Sequence, residues 1–464
     1  MEKDKKGLDI SLRSFITAII ILFVMMIGTY ILTFLIEGGQ YERVLEDGKE
    51  VIVAGTYRVT KGGIPFWKWL LSPFLILGAE GNITIISIIV FLMIIGGTFS
   101  ALQHSGVLNY MLDKICNRFG SKKYTLLYVV TGFFMMLGAF VGSFEECIPL
   151  VPIAVALSIS MGWDCLVGLG MSILAVGCGF ATGVSNPFTV GVAQELAGLP
   201  MFSGISFRLL SFVVIYMILI LFLSRYAKRI ECVDEENSNS KIFIKDAKKE
   251  KALTYFVGIL GVGVASILVS GFVPVLQGII MPLIALAFLA AGLVSVNASG
   301  IPFSKYLIYM RDGIISILPA VLLILMASSI KYTMTEANIM DTILYQAVNV
   351  IGELPKGAAI LCIYLLVLVL NFFISSGSAK AFLLIPLIMP LADMCGISRQ
   401  VCILAFAFGD GFSNVAYPTN PVLLIGLGMG NVKYGTWIKW TIRLQIVILI
   451  ATSGILLLAN TTGY

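Results

Sequence analysis

Two long apolar runs are interrupted by short polar segments: residues 179–189 read GFATGVSNPFT, and residues 411–421 read GFSNVAYPTNP. Proline removes a backbone donor and blocks the preceding helical turn, so each segment predicts a break in a helix. Inside a bilayer, freed backbone groups are tolerated only where protein or a water-filled cavity surrounds them. We therefore expect both breaks in the protein interior, where freed carbonyls can hold a cation and helix N-termini can hold a carboxylate.

The composition around these breaks predicts an all-α polytopic membrane protein. Of 464 residues, 58% are hydrophobic and 12% are charged, whereas about a quarter of the residues are charged in soluble proteins. Runs of about 20 apolar residues, the length that crosses a bilayer, recur along the chain. The N-terminal run is too long for a signal peptide, so we expect it to be a retained helix. Simple spans are expected at 15–36, 83–102, 207–223, 253–269, 279–296, 314–330 and 444–460.

Several classes of function are disfavoured by the same composition. The net charge of +5 needs no nucleic acid to explain it, because cytoplasmic loops of membrane proteins are basic. The eight cysteines are scattered, and their spacing predicts neither a metal site nor a disulfide framework. A nucleophile with a base or a metal cluster would be needed for a membrane hydrolase, and the sequence presents neither. We expect no enzyme activity and no cofactor.

The orientation follows from the distribution of lysine and arginine. With the N-terminus in the cytoplasm and the C-terminus outside, about nine of the 31 basic residues fall outside, as the positive-inside rule requires. An inner-membrane protein is expected. The charge-rich segment 225–252 is interpreted as a cytoplasmic linker between two halves. In the first external loop, the Asp47-Gly48 turn signal predicts a β-hairpin between residues 41–45 and 50–53.

The two halves share an ordered pattern. Each has a hairpin of two short arms, which fit re-entrant hairpins better than full crossings, followed by a broken helix. The first half has GFF at 132–134, IPLVP at 148–152 and SNP at 185–187; the second has NFF at 371–373, IPLIMP at 385–390 and TNP at 419–421. The copies face opposite sides in the predicted topology and are therefore inverted repeats, the arrangement that alternating access uses.

This repeat predicts a division of the chain into alternating scaffold and transport regions. They are scaffold helices with the external β-hairpin (1–123), the first transport repeat (124–224), the linker (225–252), further scaffold helices (253–357) and the second transport repeat (358–464).

The hairpin tips place ionisable groups at membrane depth. Residues 142–146 read GSFEE, residues 375–380 read SSGSAK, and Asp410 precedes the second break. Each such charge costs roughly 2.5 to 3.5 kcal/mol, so four together oppose folding by on the order of 10 kcal/mol unless they are paired or hydrated. A buried ion pair of Lys380, the only membrane-depth cation identified, with Asp410 or a glutamate is one interpretation. Even then, surplus acid is left to bind a proton, a metal cation or a cationic substrate.

The candidate binding residues therefore come from both tips and both breaks. They are Ser143, Glu145, Glu146, Thr182, Ser185, Asn186, Pro187, Thr189, Ser376, Ser378, Lys380, Asp410, Ser413, Asn414, Thr419, Asn420 and Pro421. Ser185, Asn186, Thr419 and Asn420 form a candidate sodium site, because oxygen ligands accompany freed carbonyls there.

These motifs resemble those of a known family. The tip at 142–146 with 148–149, the block 181–189, and the blocks 409–414 and 417–421 are similar to the YfcC family, which is grouped with the anaerobic C4-dicarboxylate carriers in the ion-transporter superfamily. The likeness covers nearly the whole chain. It implies a homodimeric elevator transporter whose mobile domain contains the two hairpins and the two broken helices.

The chain departs from one feature of that superfamily. Its divalent-anion symporters carry Ser-Asn-Thr at both hairpin tips for sodium and carboxylate, and these tips lack that tripeptide. The departure favours proton coupling or exchange over sodium coupling. Members of the family are named either for dicarboxylates or for basic amino acids.

Substrate chemistry then separates the alternatives. A dicarboxylate requires two cationic or strongly donating sites, whereas an amino acid needs donors for its carboxylate and an acceptor for its ammonium. The Ser, Asn and Thr residues with Glu145 and Glu146 suit an amino acid, with a basic one slightly favoured. A dicarboxylate carrier and an ion channel remain the alternatives. The expected partners are a small solute, a coupling proton, sodium ion or counter-substrate, the lipid bilayer and a second copy of the chain.

Overall fold

The computed structural model describes residues 12–46, 49–79, 82–119, 122–231, 245–270 and 280–464. Within these ranges the chain is mostly helical, and seven helices are long and apolar enough to cross a membrane. The prediction of a helical, multi-pass membrane protein is therefore confirmed. Intrahelical hydrogen bonds satisfy the backbone within each helix, which is why long apolar segments adopt this form in lipid.

One group of helices packs around α4 and α14. Many side chains on the outer faces of α1 and α14 are exposed and apolar, as a lipid-facing surface requires. The helices of this group are α1 (Leu12–Leu35), α2 (Phe66–Leu70), α3 (Ser72–Leu75), α4 (Asn82–His104), α5 (Val107–Phe119) and, later in the chain, α12 (Ala247–Ser270), α13 (Ile280–Ala298) and α14 (Phe303–Glu336). Helix α15 (Met340–Gly352) follows α14 in the chain.

The loop after α1 forms two small antiparallel sheets. Strand β1 (Gly38–Gln40) pairs with β4 (Arg58–Thr60), and β2 (Arg43–Glu46) pairs with β3 (Lys49–Ile52). In the second pair Val44 lies opposite Val51. The segments that flank the predicted turn are thus paired, while Asp47 and Gly48 themselves lie outside the described residues.

The second group contains two helix-turn-helix hairpins. In the first, α6 (Lys123–Met136) continues through a π-helical turn (Leu137–Val141), and the chain then reverses into a 3-10 segment (Glu145–Leu150) and α7 (Val151–Ser160).

In the second hairpin, α16 (Lys356–Asn371) is followed by α17 (Gly377–Met394). The arms are less uniform than predicted. Lys123–Val141 has 19 residues and Gly377–Met394 has 18, which is long enough to cross a bilayer, whereas α7 has only 10 residues. Arm length alone therefore does not decide between a re-entrant hairpin and a crossing.

Two interrupted helices pack against the hairpins, and two long apolar helices flank them. The first interrupted helix consists of α8 (Cys165–Leu169), a π-helical turn (Gly170–Leu174), α9 (Ala175–Thr182), a second π-helical turn (Pro187–Gly191) and α10 (Val192–Leu196). The second consists of α18 (Arg399–Phe412), a 3-10 turn (Ser413–Val415) and α19 (Pro421–Met429). The flanking helices are α11 (Ile205–Ile230) and α20 (Tyr434–Thr461).

Candidate functional site

Both helix breaks are built in the same way. The Asn186 Oδ1 atom accepts hydrogen bonds from the backbone N–H groups of Phe188 (2.9 Å) and Thr189 (3.3 Å). The Asn420 Oδ1 atom accepts from Val422 (2.9 Å) and Leu423 (3.4 Å). Asparagine at the N-cap satisfies N–H groups that the helix cannot. Proline is favourable at the next position because its missing N–H would be unpaired there anyway, and Pro187 and Pro421 take this position.

The two breaks meet in the interior. A Cβ atom on Gly411 would lie 2.1 Å from the Cα atom of Ala181, so the two interrupted helices touch through their backbones at this point. A Cβ atom on Gly177 would lie 2.3 Å from a methyl group of Val415. Most residues of both breaks are buried, and neither break continues as an α-helix. The expectation that both breaks lie in the protein interior is therefore confirmed for these segments.

The first tip packs on the first break. Gly142 has a φ angle of 76°, in the left-handed region that favours glycine, and a Cβ atom there would lie 2.2 Å from Asn186 Oδ1. Ser185 donates from its backbone N–H to the Ala139 carbonyl (3.1 Å) and from its hydroxyl to the Phe140 carbonyl (3.0 Å). Ser143 is buried in this tip. The hairpin thus provides acceptors for the polar groups of the broken helix.

The second tip contacts both interrupted helices. A Cβ atom on Gly377 would lie 2.4 Å from the Thr189 methyl group and 2.6 Å from Asp410 Oδ2. Ser376 begins α17 by accepting a hydrogen bond from the Ala379 backbone N–H at 3.4 Å. This tip therefore bridges the two halves of the chain at one point.

A buried polar network lies behind the second tip. The Lys380 Nζ atom is 2.5 Å from Asp410 Oδ1, and neither side chain is exposed. Lys380 also donates to Asn371 Oδ1. The Asn371 amide in turn donates to Ser413 Oγ at 2.7 Å and to Asn414 Oδ1 at 2.8 Å. The ion-pair interpretation of Lys380 is thus the arrangement that the structure adopts.

Asn414 joins this network to the second cap, because the Asn420 Nδ2 atom donates to Asn414 Oδ1 at 3.0 Å. The first cap has no corresponding bond: Asn186 Nδ2 is buried and has no hydrogen-bond partner among the described residues. Both breaks therefore have an asparagine cap, but only the Nδ2 atom of Asn420 has a hydrogen-bond partner among the described residues.

Several other buried polar atoms near the breaks lack a hydrogen-bond partner within the described part of the chain. They are Glu146 Oε2, Thr189 Oγ1 and Thr419 Oγ1. Buried polar atoms in native proteins are almost always paired, so atoms that protein groups leave unpaired are candidates for binding water or a ligand. Thr182 differs, because its hydroxyl donates to Gly179 of its own helix at 2.7 Å.

The acidic groups outnumber the lysine. Electrostatic repulsion acts between Glu145 and Asp410 and between the neighbouring carboxyl groups of Glu145 and Glu146. Glu146 is buried, and Glu145 is partly buried. Lys380 pairs with Asp410, so the two tip glutamates are left without a basic partner among the described residues, and bound protons or cations would neutralise them. The three carboxyl groups come from the first tip and the second interrupted helix.

Some of the oxygens proposed as sodium ligands already accept hydrogen bonds from the protein. Each cap asparagine uses its Oδ1 atom for two backbone N–H groups. An amide oxygen has two acceptor sites, so these bonds occupy the oxygens of Asn186 and Asn420. Of the four residues considered for sodium, Ser185 and Thr419 keep a hydroxyl oxygen with acceptor capacity.

One buried cation was missed at the sequence level. Arg208, at the start of α11, is 1% exposed, although the charge count placed it outside. Its Nε atom donates to the Val184 carbonyl of the first break at 3.2 Å, and Nη2 donates to the Phe202 carbonyl at 3.0 Å. Lys380 is therefore not the only buried cation. The sequence could have indicated this, because Arg208 is the second residue of the predicted span 207–223.

In the second break, side chains of α20 donate hydrogen bonds to the backbone carbonyls. The Trp437 indole donates to the Val415 carbonyl at 2.8 Å, and the Tyr434 hydroxyl donates to the Ala416 carbonyl at 2.8 Å. Freed carbonyls of both breaks are thus bound by side chains of a flanking helix, which is how irregular backbone is tolerated at membrane depth.

A cavity of about 660 Å³ opens beside the second tip. Ser378 lines it, together with the first loop and the C-terminal end of α14. Its volume is in the range of small-molecule sites, roughly 300 to 1,000 Å³. Its lining residues are Gly39, Gln40, Arg43, Ile52, Lys331, Thr335, Asn338, Met340, Asp341, Ile374, Ser378, Ala379, Phe382 and Leu383.

Comparison with known proteins identifies the family. The sequence profile of the DcuC family, the C4-dicarboxylate anaerobic carriers, matches residues 15–461. The chain belongs to this family. The family consists of transporters, so the chain is a membrane transporter and not an enzyme.

Two proteins are similar to this chain along most of its length. The Escherichia coli (strain K12) protein named "Putative basic amino acid antiporter YfcC" is 31% identical over 404 residues, covering 82% of this chain and 79% of that protein. The resemblance to YfcC that the motifs carry is thereby confirmed. An uncharacterized protein of Haemophilus influenzae (strain ATCC 51907 / DSM 11121 / KW20 / Rd) is 25% identical over 402 residues, covering 83% of this chain and 77% of that protein.

Two solved structures are also similar to this DcuC-family chain. The YdaH transporter of Alcanivorax borkumensis gives a TM-score of 0.44 at 17% identity, covering 97% of this chain and 99% of that chain. MtrF of Neisseria gonorrhoeae, described within a class of antimetabolite efflux pumps, gives a TM-score of 0.44 at 17% identity, covering 95% and 94%.

Proposed function

We propose that this DcuC-family transporter exchanges basic amino acids, such as arginine and ornithine, by alternating access. The observation that carries this proposal is the surplus of acid at the junction of the tips and breaks. Asp410 is paired with Lys380, while Glu145 and Glu146 have no basic partner among the described residues. A cationic side chain or ammonium group would neutralise them.

The other end of an amino acid needs hydrogen-bond donors. Asn186 Nδ2 and the Thr189 hydroxyl are buried without partners in the described part of the chain, and both can donate to a carboxylate. An amino acid with a cationic side chain therefore complements both sets of groups. The basic amino acids named for the Escherichia coli relative have this chemistry.

The proposed mechanism moves the two hairpins and the two interrupted helices as one transport domain. These elements act as inverted repeats with re-entrant hairpins and slide as an elevator against the helices around α4 and α14. Most helix contacts of each group lie within that group, which supports this division. A cavity lined by α14 on one side and by the second tip on the other is where such motion would open and close access.

The proposed arrangement is a homodimer in the inner membrane, with a cytoplasmic N-terminus and an external C-terminus. The distribution of basic residues supports the orientation. Coupling uses a counter-substrate or protons on Glu145 and Glu146. Sodium is less favoured, because the amide oxygens of Asn186 and Asn420 already accept two backbone hydrogen bonds each.

A second candidate is C4-dicarboxylate transport. The description of the matching family favours it, and so does the net positive charge of the cavity, which Arg43 and Lys331 line together with Asp341. The surplus of carboxyl groups in the interior disfavours it, because a dianion there would be repelled unless protons bind first.

Counterflow in proteoliposomes tests the proposal. Vesicles containing the purified protein are loaded with unlabelled arginine, ornithine or succinate, and uptake of each labelled solute is measured. We expect internal ornithine to accelerate arginine uptake. Exchange of succinate alone would replace this proposal with the dicarboxylate candidate. Conductance without acceleration by internal substrate would indicate a channel, since a pore does not require a returning substrate.

A further inference from the structure

The cavity beside the second tip is bounded by parts of both helix groups. The first loop contributes Arg43, the end of α14 contributes Lys331, and the second tip contributes Ser378. Strand β3 packs on α17, which carries that tip. A solute in this cavity would therefore contact a tip that is buried at Gly377 against Thr189 and Asp410.

The single acidic residue that lines the cavity is fully engaged. Asp341 is 3% exposed. Its two oxygens each lie 2.9 Å from Arg43 Nη2, and Oδ2 also accepts from the Tyr41 backbone N–H at 2.9 Å. Burial and the charge of Asp341 raise the pKa of the Tyr41 hydroxyl to about 12, so this phenol is neutral at physiological pH.

Lys331 is different, because its charge is not balanced within the described residues. Its side chain is exposed to the cavity, and no described residue forms an ion pair or hydrogen bond with it. The lining charges are thus two cations and one carboxylate, which leaves one positive charge. Thr335 and Ser378 line the same space and carry hydroxyl donors.

We propose that this cavity is a binding site for a carboxylate, with Lys331 as its counter-charge and Thr335 and Ser378 as hydroxyl donors. The assignment of that carboxylate to the transported solute rests on the proposed transport function; the site itself takes any small carboxylate that fits. A solute held here by its carboxylate lies beside the second tip before it reaches the acidic interior. The positive cavity therefore attracts the carboxylate of an amino acid before the solute reaches the donors of the interior.

Protection of Lys331 from acylation tests binding without transport. The purified full-length protein is treated with an amine-reactive ester, and acylation at individual lysines is followed by mass spectrometry. We expect succinate and arginine to slow acylation of Lys331, while arginine methyl ester has no effect because it lacks the carboxylate. Lys61, an exposed lysine of the loop after α1, serves as the internal reference. Equal rates with and without carboxylates would overturn the proposal.

Transport by variants provides the second measurement. A charge-assisted hydrogen bond contributes about 1.5 to 3 kcal/mol, so Lys331→Gln should raise the KM for uptake about tenfold or more, and Lys331→Arg should largely restore it. An unchanged KM in Lys331→Gln, with active exchange, would overturn the site and leave the transport function intact. Protection of Lys331 in a protein that exchanges no solute would instead retain the site and refute the transport proposal.

Discussion

The Lys380 ammonium group lies 2.5 Å from the Asp410 carboxylate, and both side chains are inaccessible to solvent. Lys380 is on the second hairpin, and Asp410 is on the second interrupted helix. The ion pair therefore joins the second hairpin to the second interrupted helix. Its removal should affect both stability and transport.

Removal of one partner leaves the other charge buried alone. Lys380→Met or Asp410→Asn should each lower the free energy of unfolding by about 3 to 5 kcal/mol. The double variant should lose less than the sum of the two, because no isolated charge is left. Denaturant titration in mixed micelles measures this. Asp393→Asn is the matched control: its partner is Arg399, both side chains are more than 40% exposed, and the change should be at most about 1 kcal/mol. Additive losses would contradict the pairing.

The cap and the free amide of Asn186 can be separated by substitution. Asn186→Ala removes the cap and should destabilise the protein by about 1 kcal/mol. Asn186→Ser keeps a capping oxygen but lacks the Nδ2 donor, so stability should change by only a few tenths of a kcal/mol while the KM for uptake rises. Thermal unfolding and counterflow of the two variants provide the comparison. Normal uptake by Asn186→Ser would exclude the amide from solute binding.

The contact between the interrupted helices leaves no space for a side chain at Gly411. Because a Cβ atom there would lie 2.1 Å from the Ala181 Cα atom, Gly411→Ala should destabilise the protein by about 1 to 3 kcal/mol and reduce transport. A Cβ atom on Gly454, inside α20, would meet no described atom within 4 Å. Gly454→Ala should therefore be neutral or stabilise the helix by up to about 1 kcal/mol. If both substitutions behaved alike, the helix contact would be wrong.

The acidic surplus predicts a pH dependence of transport. Protonation of Glu145 or Glu146 removes negative charge, so uptake of a cationic amino acid should weaken as the pH falls through their titration. Glu145→Gln and Glu146→Gln, made singly, should lower uptake at neutral pH and flatten its pH profile. Initial rates of counterflow across a pH series measure this. The exposed Glu42 offers a control, since Glu42→Gln should keep the wild-type profile; wild-type profiles in both tip variants would remove these residues from coupling.

Helices and their interruptions could be predicted from the sequence because their causes are local. Apolar length decides which segments can cross lipid, and proline after asparagine decides where a helix restarts. Both rules apply to 185–187 and 419–421 without knowledge of any neighbour. The strand segments in the first loop also follow from a local turn signal.

The partners of the buried charges could not be predicted in this way. Asn371 is 9 residues from Lys380 and 42 from Ser413 along the chain, and Arg208 reaches a carbonyl 24 residues away. Arg43 and Asp341 are 298 residues apart. Such contacts depend on how the helices pack, which no local pattern encodes.

The sequence by itself determined that the chain is a multi-pass helical transporter of the carrier family with two broken helices, because hydropathy and helix interruption act within one segment. Only the tertiary structure decided that Lys380 is neutralised by Asp410, that Arg208 supports the first break, and that Lys331 faces a cavity with its charge unpaired. The physical reason is that a charge in a low-dielectric interior is governed by groups within a few ångströms, and folding selects those groups from distant parts of the chain.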